Sequence, residues 1–160
     1  MKQYTHILAA LDVLNTPSVD AFDEACRVAV KHGADLTLAY VFHYNEYSSL
    51  GWMDPIGIKR LHAEAEYQLH AYRKSAEEKG VPKVKAVLDN GVPKKRLVNQ
   101  LCERIEPDLI VVGQTGGNAF GQVMQGNTVT KTVRKHAPCD VHIVDHAIAS
   151  IQRAHAAPLQ

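Results

Sequence analysis

Five short apolar runs recur along the chain, and the stretches between them change to helical spacing. The runs are Ile7 to Leu11, Leu36 to Phe42, Val84 to Leu88, Leu109 to Val112 and Val141 to Val144. Continuous apolar runs of this length suit strands buried on both faces, as in a parallel sheet. Between them, Phe22, Ala25, Cys26 and Ala29 recur at helical spacing, as do Leu61, Ala65, Leu69, Tyr72 and Ala76. Leu97, Val98, Leu101, Cys102 and Ile105 form a third set. Thr16-Pro17 reads as a helix start, Gly33 and Gly80 as helix stops, and Glu106-Pro107-Asp108 and Pro138 as breaks. The order β-α-β-α-β-α-β-α-β predicts an α/β fold, an open doubly wound parallel sheet with helices on both faces. Such sheets bind ligands beyond the carboxyl ends of their strands, where the strand order reverses. The loops after Leu11, Phe42 and Val112 are therefore the candidate sites.

Composition narrows the function classes. One hundred and sixty residues suit one domain, and 46% hydrophobic with 22% charged residues excludes a disordered chain. Eighteen Lys+Arg balance 17 Asp+Glu, which argues against a nucleic-acid coat, so no nucleic-acid partner is expected. Cys26, Cys102 and Cys139 lack a CxxC spacing, so neither a disulfide framework nor a cysteine metal knuckle is expected and a reducing cytoplasm fits. No apolar run approaches bilayer length, and no membrane association is expected. The run at Ile7 is stopped by Asp12 and reads as a strand, not as a secretory leader. Patterning fades after about Ala147, giving a domain over 1–146 and a C-terminal tail over 147–160.

Five of the ten glycines fall between Gly113 and Gly126, directly after the most strand-like run. That concentration marks a backbone that turns tightly or approaches a ligand closely. Backbone N–H groups in such a loop can converge on phosphate oxygens, and a helix starting near Gly126 would add its dipole. A surface loop without a ligand is the alternative. Gly121-x4-Gly126-Asn127-Thr128 matches a P-loop except that Asn127 replaces the lysine, which removes the cation needed at the β/γ-phosphates. The dinucleotide pattern GxGxxG is absent, and the glycines follow the fourth strand and not the first.

These residues resemble the universal stress protein (UspA-like) family. Its ATP-binding members carry G-x2-G-x9-G-[S/T] after the fourth strand, and Gly113-x2-Gly116-x9-Gly126 has that spacing. Asp108 to Gly113 before the loop and His136-Ala137-Pro138-Cys139 after it also resemble the family, as do Ile7 to Asp12, Leu36 to Phe42 and Gly91-Val92-Pro93. The resemblance spans about residues 3 to 145. It implies a five-stranded sheet in the order 3-2-1-4-5, and a homodimer. It also implies a site for ATP or another adenine nucleotide. The glycine loop holds no carboxylate cluster, so Mg²⁺ is expected to accompany ATP on phosphates and water and not in an all-protein site. Asp12 would meet the ribose or adenine edge, and the backbone of Val41 would read adenine. Gly113, Gly116 and Gly126 would wrap the ribose and phosphates, and Asn127 and Thr128 would donate to phosphate. Asn127 departs from the family by standing at the usual Ser/Thr position; its amide can still donate.

Other constellations are weaker. His62, Glu66 and His70 are four apart on one helix, but they flank the apolar face and read as a solvated stripe and not as metal ligands. Lys94-Lys95-Arg96 reads as a solvated helix start, with a phosphate-facing role as the alternative. Tyr44, Tyr47 and Trp52, in an aperiodic segment from His43 to Pro55, could form a lid over a base or pack on the next helix. No GxSxG elbow is present, and the sequence offers no evident general base beside the phosphates. The reading is a cytoplasmic stress-response protein that binds an adenine nucleotide as a regulatory homodimer, paired through Val141 to Val144. The alternatives are a slow ATPase or nucleotidyl transferase, and a nucleotide-free interaction module.

Overall fold

The computed structural model describes residues 3–14, 19–43, 54–91, 96–114 and 137–145. Its elements are β1 (His6–Ala10), α1 (Val19–His32), β2 (Asp35–Phe42), α2 (Pro55–Glu78), β3 (Val84–Asn90), α3 (Arg96–Leu101), α4 (Cys102–Ile105), β4 (Leu109–Gln114) and β5 (Asp140–Asp145). The five strands form one parallel sheet in the order β3-β2-β1-β4-β5. Both the parallel direction and the strand order agree with the expectations drawn from the sequence.

Period-two alternation splits the strand residues between two faces. Ile7, Ala9, Leu36, Leu38, Tyr40, Phe42, Leu109 and Val111 turn to one side, where they join Phe22, Ala25 and Ala29 of α1 and Ile58, Ala65 and Leu69 of α2 in one buried cluster. Leu8, Ala39, Val41 and Ile110 turn to the other side and meet Leu101 and Cys102. Helices therefore cover both faces. Because Leu8, Leu38 and Ile110 are fully buried, truncating any of them to Ala would cost about 2–5 kcal/mol.

The helix ends have local causes. Ala34 N–H donates to the Ala29 carbonyl (2.9 Å) around Gly33, whose φ of +64° stops α1 in a left-handed turn. Asp20 in the first turn of α1 and Lys31 and His32 in its last turn complement the helix dipole. The apolar spacing places the start of α2 near Ile58, yet it begins at Pro55. Asp54 caps it, accepting from the Gly57 N–H at 2.7 Å, and Pro55 occupies the first helical position. The third helical segment opens as a π-helix, Arg96–Leu101, and continues as α4. Glu106, at φ 53° and ψ 55°, ends it ahead of Pro107. The helix expected ahead of Pro138 and the lid residues Tyr44, Tyr47 and Trp52 lie outside the described residues.

Candidate functional site at the carboxyl end of the sheet

The chain leaves β1 toward β2 on one side and leaves β4 toward β5 on the other, so the strand order reverses between β1 and β4. Ala10 pairs with Ala39 of β2 and with Val112 of β4. Asp12 lies two residues past that level, just beyond the end of β1, while Val41 lies two past it on β2 and Gly113 one past it on β4. Three predicted site residues thus stand side by side on adjacent strands at the topological switch point.

Each offers a different group there. Leu11 N–H takes the Ala39 carbonyl (2.9 Å), while Gly91 N–H takes the Phe42 carbonyl (3.1 Å). Successive carbonyls alternate sides along a strand, so that of Val41 turns toward β1 at a height where β1 has ended. It has no backbone partner there among the described residues. The Asp12 carboxylate accepts the Leu14 N–H at 3.2 Å, which curls the chain away from the strand end. Gly113 is a strand residue opposite Val144 and is not among the described glycines of positive φ. β4 runs two residues further, to Gln114, than the apolar run suggested. Glycine at 113 is therefore extended strand backbone without a side chain, and not a turn. Gly116, Gly126, Asn127 and Thr128 lie outside the described residues.

Tyr72 of α2 belongs to this neighbourhood, although its spacing marks it only as a packing residue. Its ring meets Phe22 edge-on at 4.8 Å. Burial first, and then the charges of Asp12 and Asp23, push its ionisation above the usual tyrosine range. It therefore remains a neutral phenol able to donate a hydrogen bond within the field of Asp12.

Arg96, the last residue of the basic run, is held by a carboxylate. Its Nε and Nη2 fork onto Asp89 at 3.0 and 2.7 Å across the end of β3. Burial opposes ionisation of Asp89. The Arg96 fork, the Asn90 N–H and the nearby charges of Arg96 and Arg104 outweigh it and hold the carboxyl below its ordinary range. Between the two lies Gly91 at φ +140°, where an added Cβ would come within 2.8 Å of the Arg96 side chain. Lys94 and Lys95 lie outside the described residues. His62 packs edge-on against Phe42 at 5.2 Å and is half-buried, so it is a lining residue of the core margin and not part of a solvated stripe. Glu66 and His70 are exposed.

The model of the universal stress protein family matches residues 3–145. The chain belongs to the universal stress protein family. A relative from Staphylococcus aureus (strain USA300), itself assigned to the universal stress proteins, is 34% identical over 144 residues, which cover 90% of this chain and 86% of the relative. The universal stress protein UspA from Lactobacillus plantarum superposes with a TM-score of 0.71 at 30% identity, over 90% of this chain and 99% of that one. A universal stress protein solved in complex with cAMP shares the fold, with a TM-score of 0.63 at 21% identity, over 90% of this chain and 98% of that one. No helix among the described residues is long and apolar enough to cross a membrane.

Proposed function

We propose that this universal stress protein binds an adenine nucleotide at the switch point between β1 and β4. ATP with Mg²⁺ is the favoured form. The protein then acts as a cytoplasmic regulatory homodimer in a stress response. The observation that carries the reading is the alignment of Asp12, the Val41 carbonyl, which has no backbone partner among the described residues, and the bare backbone of Gly113 at adjacent strand ends. The spacing Gly113-x2-Gly116-x9-Gly126 continues from that point. A relative of the same fold solved with cAMP supports an adenine ligand.

The chemistry divides along the strands. The backbone edge of Val41 suits the exocyclic amine of adenine, which donates to a carbonyl. The Asp12 carboxylate suits a ribose hydroxyl, and Tyr72 supplies a neutral donor nearby. Glycine backbone beyond Gly113 suits phosphate oxygens. Mg²⁺ would be carried by the phosphates and water. The domain covers 1–146, with 147–160 as an appended tail.

Native mass spectrometry of the purified protein, followed by calorimetric titration with ATP with and without Mg²⁺, tests the reading. A retained adenine nucleotide that stays intact over hours fits a binding protein. Steady release of ADP or AMP would move the protein to the slow ATPase or nucleotidyl transferase class. No nucleotide and no heat in either titration would leave an interaction module and overturn the proposal.

A further inference from the structure

The amino end of the sheet carries a second constellation, far along the strands from the switch point. A cavity of about 270 Å³ opens there beside α4. His6, Asp35 and Thr37 line it from β1 and β2, Lys83 and Lys85 from the entry to β3, and Arg104 from α4. Register explains the convergence. His6 pairs with Asp35 and Thr37 with Lys85, and these four residues share the face that α3 and α4 only partly cover. Val87 and Ile105, both half-buried, form the apolar remainder of the wall.

We propose that this cavity is a binding site for a small dianionic oxyanion of the phosphate class. Two independent observations carry it. Three permanent cations, Lys83, Lys85 and Arg104, face one carboxylate, Asp35, and that carboxylate lies 3.6 Å from His6 Nε2. Among the described residues none of the three cations makes an ion pair within 4 Å. The acid that Arg104 acts on at longer range is Asp89, which Arg96 already forks. The excess of two positive charges matches a dianion. The second observation is Thr37. It is the one polar residue among the buried described residues, at 7% exposure. It lines this cavity, and its hydroxyl has no hydrogen-bond partner among the described residues. The hydroxyl is not sealed from solvent, since among the described residues only Arg73 Nε is a buried side-chain atom without a partner, so it is open to the cavity and available to donate to a ligand oxygen.

Size and contrast set the ligand class. The volume falls below the roughly 300–1,000 Å³ of pockets that take drug-sized ligands, which points to a compact ion or a small phosphomonoester. A larger hollow of about 390 Å³ between α1 and β5 has no such surplus. There Glu24 pairs with Arg27 and lies 3.7 Å from His142, and Tyr4 donates to Asp140 at 2.9 Å. Its charges are neutralised from within.

The test is a titration of the full chain with inorganic phosphate, followed by NMR of the His6 ring and the Thr37 methyl, with sodium chloride at matched ionic strength as control. Phosphate should shift both signals and saturate, while chloride should not. Lys85→Gln should weaken the binding at least about tenfold, the scale of a charge-assisted hydrogen bond. Thr37→Val, nearly isosteric, should weaken it about two- to tenfold. Gly116→Val, in the glycine loop, should leave these shifts unchanged, which separates this site from the nucleotide site. Glycerol 3-phosphate in a parallel titration distinguishes the sources: tighter binding assigns the site to a phosphomonoester, equal or weaker binding to the free ion. Lys85 is exposed, so Lys85→Gln should fold even if Thr37→Val does not. Shifts that match those from chloride, or that survive Lys85→Gln undiminished, would overturn the proposal.

Discussion

Asp12 shows how much a single residue depends on the strand that carries it. On its own an Asp after an apolar run is a turn residue, and it does accept the Leu14 N–H. In the proposed site its place between Val41 and Gly113 gives its carboxylate to a ligand hydroxyl. Asp12→Ala should therefore weaken adenosine and ATP alike, by about 1.5–3 kcal/mol, the scale of a hydrogen bond to a charged group. Asn127 should behave differently. If its amide holds a phosphate, Asn127→Ala should weaken ATP, ADP and AMP by about 1 kcal/mol and leave adenosine alone. Calorimetry with the four ligands on wild type and both variants checks the pair; an Asn127→Ala protein that loses adenosine as well would remove the phosphate role. The cysteines give a second residue-scale expectation. Burial pushes the thiols of Cys26 and Cys102 up to about 11, and both side chains are buried. At pH 8 in the native state both should react with a chromogenic disulfide far more slowly than after denaturation. Rapid labelling of all three cysteines in the folded protein would contradict this. The Asp89–Arg96 fork was not legible in the sequence, because seven residues and a change of element separate the partners.

At the scale of elements, Asp108 connects strands that are far apart in sequence. Its carboxylate accepts the Thr5 N–H at 2.8 Å, the Thr5 hydroxyl at 2.9 Å and the His6 N–H at 2.9 Å, while its own N–H donates to the His6 carbonyl. The start of β4 is thereby tied to the start of β1. Burial opposes the charge, but the Thr5 and His6 N–H groups and the Thr5 hydroxyl outweigh it and hold the pKa down. A folded pKa below the unfolded one adds stability that is complete above about pH 4 and is lost as pH falls through the folded value. Asp89 contributes with the same sign. Asp108→Asn should lower stability at pH 7 by about 1 kcal/mol, discounted for partial exposure, and should flatten the fall between pH 4 and pH 2. Urea melts of both proteins across that range measure it; parallel curves would show that Asp108 is ionised equally in both states. Sequence pattern located all five strands and the core faces of α1 and α2, since apolar periodicity reports burial directly. It missed the first turn of α2, where Asp54 and Pro55 define the start by capping and not by hydrophobicity. It also missed the π-wound opening of α3, for which the sequence has no periodic signature.

For the whole molecule the decisive feature is the open end of the sheet. β5 is the last strand, paired with β4 on one side, and no described strand lies on its other side. A β-rich edge such as Val141-His142-Ile143-Val144 invites a further strand. The proposed homodimer meets that need by pairing β5 with its two-fold mate, an isologous contact in which each copy presents the same residues. The centre of β5 would then lie at the axis, near His142 and Ile143. Two changes probe this at different levels. Ile143→Pro removes a ladder donor and should yield monomers. His142→Lys introduces a permanent cation on the strand whose His142 lies 3.7 Å from Glu24, and sets like charges against each other across the axis, which disfavours cross-strand pairing. Light scattering of wild type should give the mass of a dimer, roughly 35 kDa from two chains of 17.6 kDa. Both variants should shift toward the monomer mass with unchanged far-ultraviolet circular dichroism. The lysine variant should recover partly at high salt, because screening weakens the repulsion, whereas the proline variant should not. A dimer that survives both substitutions would place the interface elsewhere and leave the β5 edge to another partner.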